Sequence, residues 1–121
     1  AHAFDANGYF VVAQDNTVVL PAGAAALVSN LIDLQNGPDS LVLVSPGPSS
    51  VTLDALGYSD AAGQYAPPNV FAGEGTTALQ PAGANAAASL SRLPDGSDTS
   101  NNSVDFKFGT KTPGASNTPV P

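Results

Sequence analysis

Cysteine is absent from this chain of 121 residues, and basic residues are scarce. Without cysteine there is no disulfide framework, no thiolate nucleophile and no zinc–thiolate site. Three basic residues stand against ten acidic ones, which gives a net charge of −7. Because affinity for nucleic acid comes mainly from Lys and Arg that neutralise phosphates, the charge balance disfavours nucleic acid as a partner. Anionic membrane surfaces are disfavoured for the same reason.

Long hydrophobic runs are also missing. The most apolar stretch, residues 18–34, is interrupted by proline, glycine, asparagine and aspartate, so membrane insertion is not expected. No signal peptide is visible, which fits either a cytosolic protein or a secreted protein after processing. Charged residues make up only 11% of the chain, and small neutral polar residues replace them. That composition is typical of extracellular proteins, and we therefore expect a secreted, processed protein that is extracellular or on the cell surface.

Residues that carry catalysis are few. His2 is the only histidine, and it lies at the N-terminus, where a general base would be poorly held. Glu74 is the only glutamate. Its glycine neighbours indicate a turn, and we expect its side chain to be solvated or bound to Arg92. The sequence therefore predicts no catalytic residues and a protein that is not an enzyme.

Short β-branched and aromatic runs, separated by turn residues, predict an all-β protein. The clearest strand is residues 40–44, between Pro38 and Pro46, and a hairpin loop joins it to an alternating strand at 51–58. We also predict strands or parts of strands at 8–15, 17–20, 89–93 and 104–108, and a short strand or a turn around 26–28. Residues 59–88 have no regular pattern, and their length favours a functional or disordered loop. Residues 112–121 are rich in proline and predict an exit into a linker.

Alternation within these strands predicts which side chains are buried. Either Leu41 and Leu43 or the alternate set Ser40, Val42 and Val44 is expected to face the core. The expected core is completed by Val11, Leu53, Leu56 and Phe106. Several short strands without one convincing helix favour an antiparallel β-sandwich.

Five segments in order resemble the bacterial lamin tail domain. They are NGPDSLVLV, VTLDALGY, FAGEG, SLSRLPDGSDTSNNSVDF and KTPGASN, and the resemblance covers roughly residues 8–117. The resemblance implies an immunoglobulin-like antiparallel β-sandwich over 1–111, followed by the exit segment 112–121. It also implies a non-enzymatic accessory or structural module on secreted or surface proteins, often beside hydrolases.

One departure from the family concerns its first strands, which have the types I-N-E-V, W-I-E-L-Y-N and L-S-G-W. None of these occurs here, and the chain has no tryptophan. A sandwich without them would expose apolar faces and strand edges. We therefore expect a protein partner, or self-association into an assembly such as a filament, to supply the missing strands. The alternative is a divergent domain that is complete in these residues.

The segment SLSRLPDGSDTSNNSVDF is rich in aspartate and asparagine, and it has three interpretations. Oxygen atoms of Asp95, Asp98, Asn101 and Asp105 would suit Ca²⁺, although the spacing does not match an EF-hand loop. This interpretation makes the protein a calcium-dependent module, for example one that binds carbohydrate. The second interpretation is that these residues bond neighbouring backbone groups in turns. The third is N-glycosylation, because Asn101-Asn102-Ser103 fits the acceptor sequence.

Overall fold

The computed structural model describes residues 2–34, 38–60, 72–79 and 88–121. Within them the chain forms seven strands and one helical turn, so it is an all-β protein. The strands are β1 (Val11–Ala13), β2 (Ala26–Val28), β3 (Asp39–Val44), β4 (Thr52–Ser59), β5 (Ala78–Leu79), β6 (Ala88–Arg92) and β7 (Phe106–Thr110). The turn of helix α1 (Asn102–Asp105) directly precedes β7. The predicted strands at 40–44, 51–58 and 89–93 are confirmed to within one residue, and the segment at 26–28, predicted as a strand or a turn, is a strand.

The chain divides into two compact units. The first comprises Ala1–Leu34 with Lys111–Ser116, and its sheet consists of β1 and β2 in parallel. Gly114 lies against Val11 within this unit, at a positive φ of 72° that favours glycine. The predicted strand at 17–20 is wrong. Asp15 Oδ1 accepts hydrogen bonds from the backbone N–H and the hydroxyl of Thr17, at 2.8 and 2.6 Å, so a local turn occupies the start of the predicted strand.

The second unit contains residues 35–110 and 117–121. One of its sheets has the strand order β3-β4-β5, with β3 and β4 antiparallel and β5 parallel to β4. The other consists of β6 and β7, which are antiparallel. The end of the chain continues this second sheet, because Thr110 N–H donates to Thr118 C=O and Gly109 forms a bridge with Pro119.

Apolar burial differs from the expectation. The buried apolar residues among those described are Ala13, Ala55, Tyr58 and Ala78. Neither predicted face of β3 is buried: Leu41, Val42, Leu43 and Val44 are all exposed, and only Ser40 lies inside. Leu53 is 60% exposed, so its predicted burial is wrong. It lies where the β3–β4 register shifts, because Val44 pairs with Thr52 and Leu53 is left out of the pairing. Val11, Leu56 and Phe106 are half-buried.

Candidate functional site

Arg92 stands at the centre of the charged residues of the second unit. It ends β6 and pairs in register with Phe106, the first residue of β7, so its guanidinium lies 4.6 Å from the centre of the Phe106 ring. Nη2 donates to both carboxylate oxygens of Asp54, at 2.8 and 2.7 Å, and Nη1 donates to Ser97 C=O at 2.9 Å. The carboxylate partner of Arg92 is thus Asp54 and not Glu74. The guanidinium has little capacity left for a ligand.

Asp105 is the most buried carboxylate near Arg92, with 1% of the residue exposed. It accepts hydrogen bonds from the backbone N–H and hydroxyl of Thr99 and from the N–H of Asn101, and its Oδ2 lies 3.6 Å from Arg92 Nη1. Burial acts to raise its pKa. The hydrogen bonds from Thr99 and Asn101 and the charge of Arg92 outweigh burial, so the pKa of Asp105 lies below its ordinary value. The ionised carboxylate thus holds the 99–101 turn in place.

Asn101 begins α1 as its N-cap residue. Its Oδ1 accepts from the backbone N–H and the hydroxyl of Ser103, at 3.2 and 2.9 Å. The same oxygen accepts from Thr76 N–H at 3.3 Å. The amide oxygen of the predicted glycosylation acceptor is therefore bound within the fold, and Gly75 lies directly against this residue. Glycosylation at Asn101 stays a prediction.

Asn102 is fully buried and acts as a surrogate peptide group beside β4. Its Nδ2 donates to Ala55 C=O, and its Oδ1 accepts from the N–H groups of Gly57 and Glu74, each at 2.8 Å. The side chain therefore continues the β4 edge that β5 occupies at Tyr58 and Ser59. Nothing in the spacing of the sequence separated Asn102 from Asn101, because the partners of Asn102 lie 28 to 47 residues away along the chain.

Glu74 occupies the turn between Gly73 and Gly75, as its neighbours predicted. Its backbone is tied to α1, because Asn102 N–H donates to Glu74 C=O. Glu74 is half-buried, and its Oε2 is buried without a hydrogen-bond partner among the described residues, so this oxygen is neither solvated nor bound to Arg92 as predicted. Desolvation raises the pKa of Glu74, and the nearby carboxylates of Asp98 and Asp54 raise it further. This carboxylate is more easily protonated than an ordinary glutamate.

The four residues predicted to bind Ca²⁺ are placed differently from one another. Asp95 is exposed beside Gly96, and the exposed Asp98 accepts from Ser100 N–H in a local turn. Asn101 and Asp105 direct their oxygens to backbone and hydroxyl donors, as described above. The described part of the chain holds no group of three or more His, Cys, Asp or Glu side chains that could bind a metal ion. Calcium binding stays a prediction.

His2 lies in the first unit, where its ring meets Phe10 edge to face with 5.8 Å between centres.

Among the described residues, no helix has the length and apolar character needed to cross a membrane. Comparison with family models, with curated proteins and with solved structures finds no match to this chain. Membership of the lamin tail family therefore stays a prediction.

Proposed function

We propose that this chain is a non-enzymatic structural module, extracellular or on a cell surface, which associates with another chain or with copies of itself through an exposed β-strand. The observation that carries the proposal is β3. Four consecutive apolar residues of this strand, 41–44, are exposed, with Leu43 at 62%. Side chains alternate between the two faces of a strand, so both faces of β3 present apolar groups to solvent.

The position of β3 in its sheet strengthens the argument. Among the strands of the described residues, β3 is an edge strand in the order β3-β4-β5, and it has no lysine and no internal proline to prevent pairing with another strand. Contiguous exposed apolar surface of this kind is typical of protein–protein interaction sites. Strand addition would pair backbone groups at the edge and cover the apolar side chains at the same time.

The architecture proposed with this function is the immunoglobulin-like sandwich of the lamin tail domain. Its support is the order of the five sequence segments named above, together with the antiparallel pairing of β3 with β4 and of β6 with β7. The predicted division into a domain at 1–111 and an exit segment at 112–121 stays a prediction, and in the structure residues 118 and 119 pair with β7. An extracellular location is supported by the low charge content of the chain.

Sedimentation velocity of the purified chain, at concentrations from about 1 to 100 μM, tests the proposal. The dissociation constants of typical transient and stable complexes lie within or below this concentration range. We expect either concentration-dependent association or co-purification of a second peptide, which native mass spectrometry identifies by its mass. A folded monomer throughout the range, with no companion by mass, would contradict the proposal.

A further inference from the structure

The backbone of β3 has one side turned toward β4 and one side turned away. Ala55 C=O and Gly57 N–H bond to the Asn102 side chain, on the β4 edge opposite to β3. The alternate residues of β4, at positions 54, 56 and 58, therefore direct their backbone groups toward β3. Their register partners are Leu43, Leu41 and Asp39, respectively. Residues 40 and 42 of β3 then direct their N–H and C=O groups outward, away from β4. Beyond the register shift, Ser45 N–H donates to Val51 C=O, so Val44 before it also directs its groups outward.

The outward side of β3 is closed at both ends. Ser40 N–H is engaged, because it donates to Asp39 Oδ1 at 2.7 Å. Pro46 has no N–H to donate. Between these ends, no hydrogen bond from another described residue reaches the outward backbone groups of Val42 and Val44. The accessible edge is therefore short, and its centre is Leu43.

This short edge is complementary to itself. If two copies of β3 lie antiparallel with Leu43 opposite Leu43, Val42 of each copy faces Val44 of the other. Each such pair of outward residues exchanges two hydrogen bonds, which gives four in all. The next pair would join Ser40 to Pro46, where one donor is already engaged and the other does not exist. The pairing thus uses the outward N–H and C=O groups of Val42 and Val44 and does not extend beyond them.

We propose that the partner strand is β3 of a second copy, paired antiparallel about a two-fold axis at Leu43. This inference rests on the proposed function and names its partner. The same arrangement places Leu41 opposite Ser45 and Asp39 opposite Gly47, so no carboxylates face each other. The two Asp39 side chains lie about 26 Å apart, at about 3.3 Å per residue, which exceeds the Debye length in physiological salt.

The salt dependence of association distinguishes a second copy of this chain from a basic partner. Each copy carries a net charge of −7, so two copies repel at long range, and added salt screens the repulsion. Self-association should therefore strengthen as ionic strength rises. A basic partner strand would instead be attracted by the acidic chain, and salt would weaken its binding.

A cysteine cross-link tests the geometry, because the natural chain contains no cysteine. Residues at the Leu43 position form a non-hydrogen-bonded pair with Cα atoms about 4.5 Å apart, which lies within the range of disulfides. We expect the Leu43→Cys chain to oxidise to a covalent dimer at least tenfold faster than Leu53→Cys. Leu53 is a matched control, since it is 60% exposed but lies on β4.

Sedimentation of the Leu43→Lys and Leu53→Lys chains, at about 0.1 and 1 M salt, completes the test. These conditions bracket Debye lengths of about 10 and 3 Å. We expect Leu43→Lys to abolish dimers, Leu53→Lys to leave them unchanged, and high salt to strengthen natural dimers. Association that survives Leu43→Lys, without faster cross-linking of Leu43→Cys, overturns the inference and leaves the proposed function standing. Monomers under every condition overturn self-pairing, and the proposed function then depends on a companion peptide.

Discussion

Arg92 Nη2 bonds both carboxylate oxygens of Asp54, across 38 residues of chain, and ties the end of β6 to the middle of β4. Only 12% of the Arg92 side chain is exposed, but 39% of the Asp54 side chain is, so solvent weakens the attraction between them. The importance of Arg92 lies in its several simultaneous contacts. It binds Asp54 and Ser97, stacks on Phe106 and lies near two further carboxylates.

Replacement of Arg92 by lysine should reduce the free energy of unfolding by about 1–2 kcal/mol, because lysine keeps the charge but not the planar fork or the stacking. Urea denaturation at pH 7 measures the loss. Lys107→Arg is the control at an exposed site, and it should change stability by less than about 0.5 kcal/mol. Equal effects at the two positions would contradict the central role of Arg92.

Asn102→Ala should cost about 3 kcal/mol or more. The substitution leaves two N–H groups and one C=O group without partners beside β4, and each unsatisfied buried group costs about 1–3 kcal/mol. Chemical denaturation measures the change, with Asn7→Ala at an exposed turn as the control. A cost below about 1 kcal/mol would mean that water replaces the amide without penalty.

Glu74→Gln should stabilise the protein at pH 7. The folded pKa of Glu74 is raised, so the folded state binds more protons between its unfolded and folded pKa values, and stability falls as pH rises through that interval. Removal of the charge eliminates this penalty. The melting temperature of Glu74→Gln should therefore exceed that of the natural chain at pH 7, and the difference should disappear below the unfolded pKa. A lower melting temperature at pH 7 would show that Glu74 is stabilising as a carboxylate.

Asp105→Asn should destabilise the protein at pH 7, which is the opposite of the effect expected for Glu74→Gln. The folded pKa of Asp105 is lowered, so its stabilisation is complete above the unfolded pKa and is lost as pH falls through the folded pKa. We expect a lower melting temperature at pH 7 and a smaller difference in acid. Thermal melts of both chains from pH 7 down to pH 2 check this, with the exposed Asp95→Asn as the control. A constant difference across that range would exclude linkage to Asp105.

Gly75→Ala and Gly96→Ala form a matched pair. Both glycines have positive φ, 59° and 72°, but a Cβ at position 75 would lie 2.9 Å from Asn101 Cγ, whereas one at position 96 meets nothing within 4 Å. In each variant the left-handed backbone costs the new alanine about 1–2 kcal/mol. Only in Gly75→Ala does the new Cβ also clash with the Asn101 side chain. We expect Gly75→Ala to be the more destabilising in urea. Equal losses would mean that the Asn101 side chain moves away freely.

Among these features, the sequence by itself determined the strands whose signals are local. The alternating or β-branched runs predicted β3, β4 and β6, and the glycines around Glu74 predicted its turn. Proline and turn residues on both sides fixed where β3 starts and stops. These properties follow from backbone conformation and side-chain shape, which act between near neighbours in the chain.

Only the tertiary structure decided how the Asp- and Asn-rich segment is used and what β3 covers. Asp54, the partner of Arg92, and Gly57, the partner of Asn102, lie 38 and 45 residues away along the chain, so no spacing rule connects them. Burial in strand β3 likewise depended on whether another layer lies against it. Alternation gave two candidate faces and could not show that both are exposed, because exposure is a property of the neighbours and not of the strand.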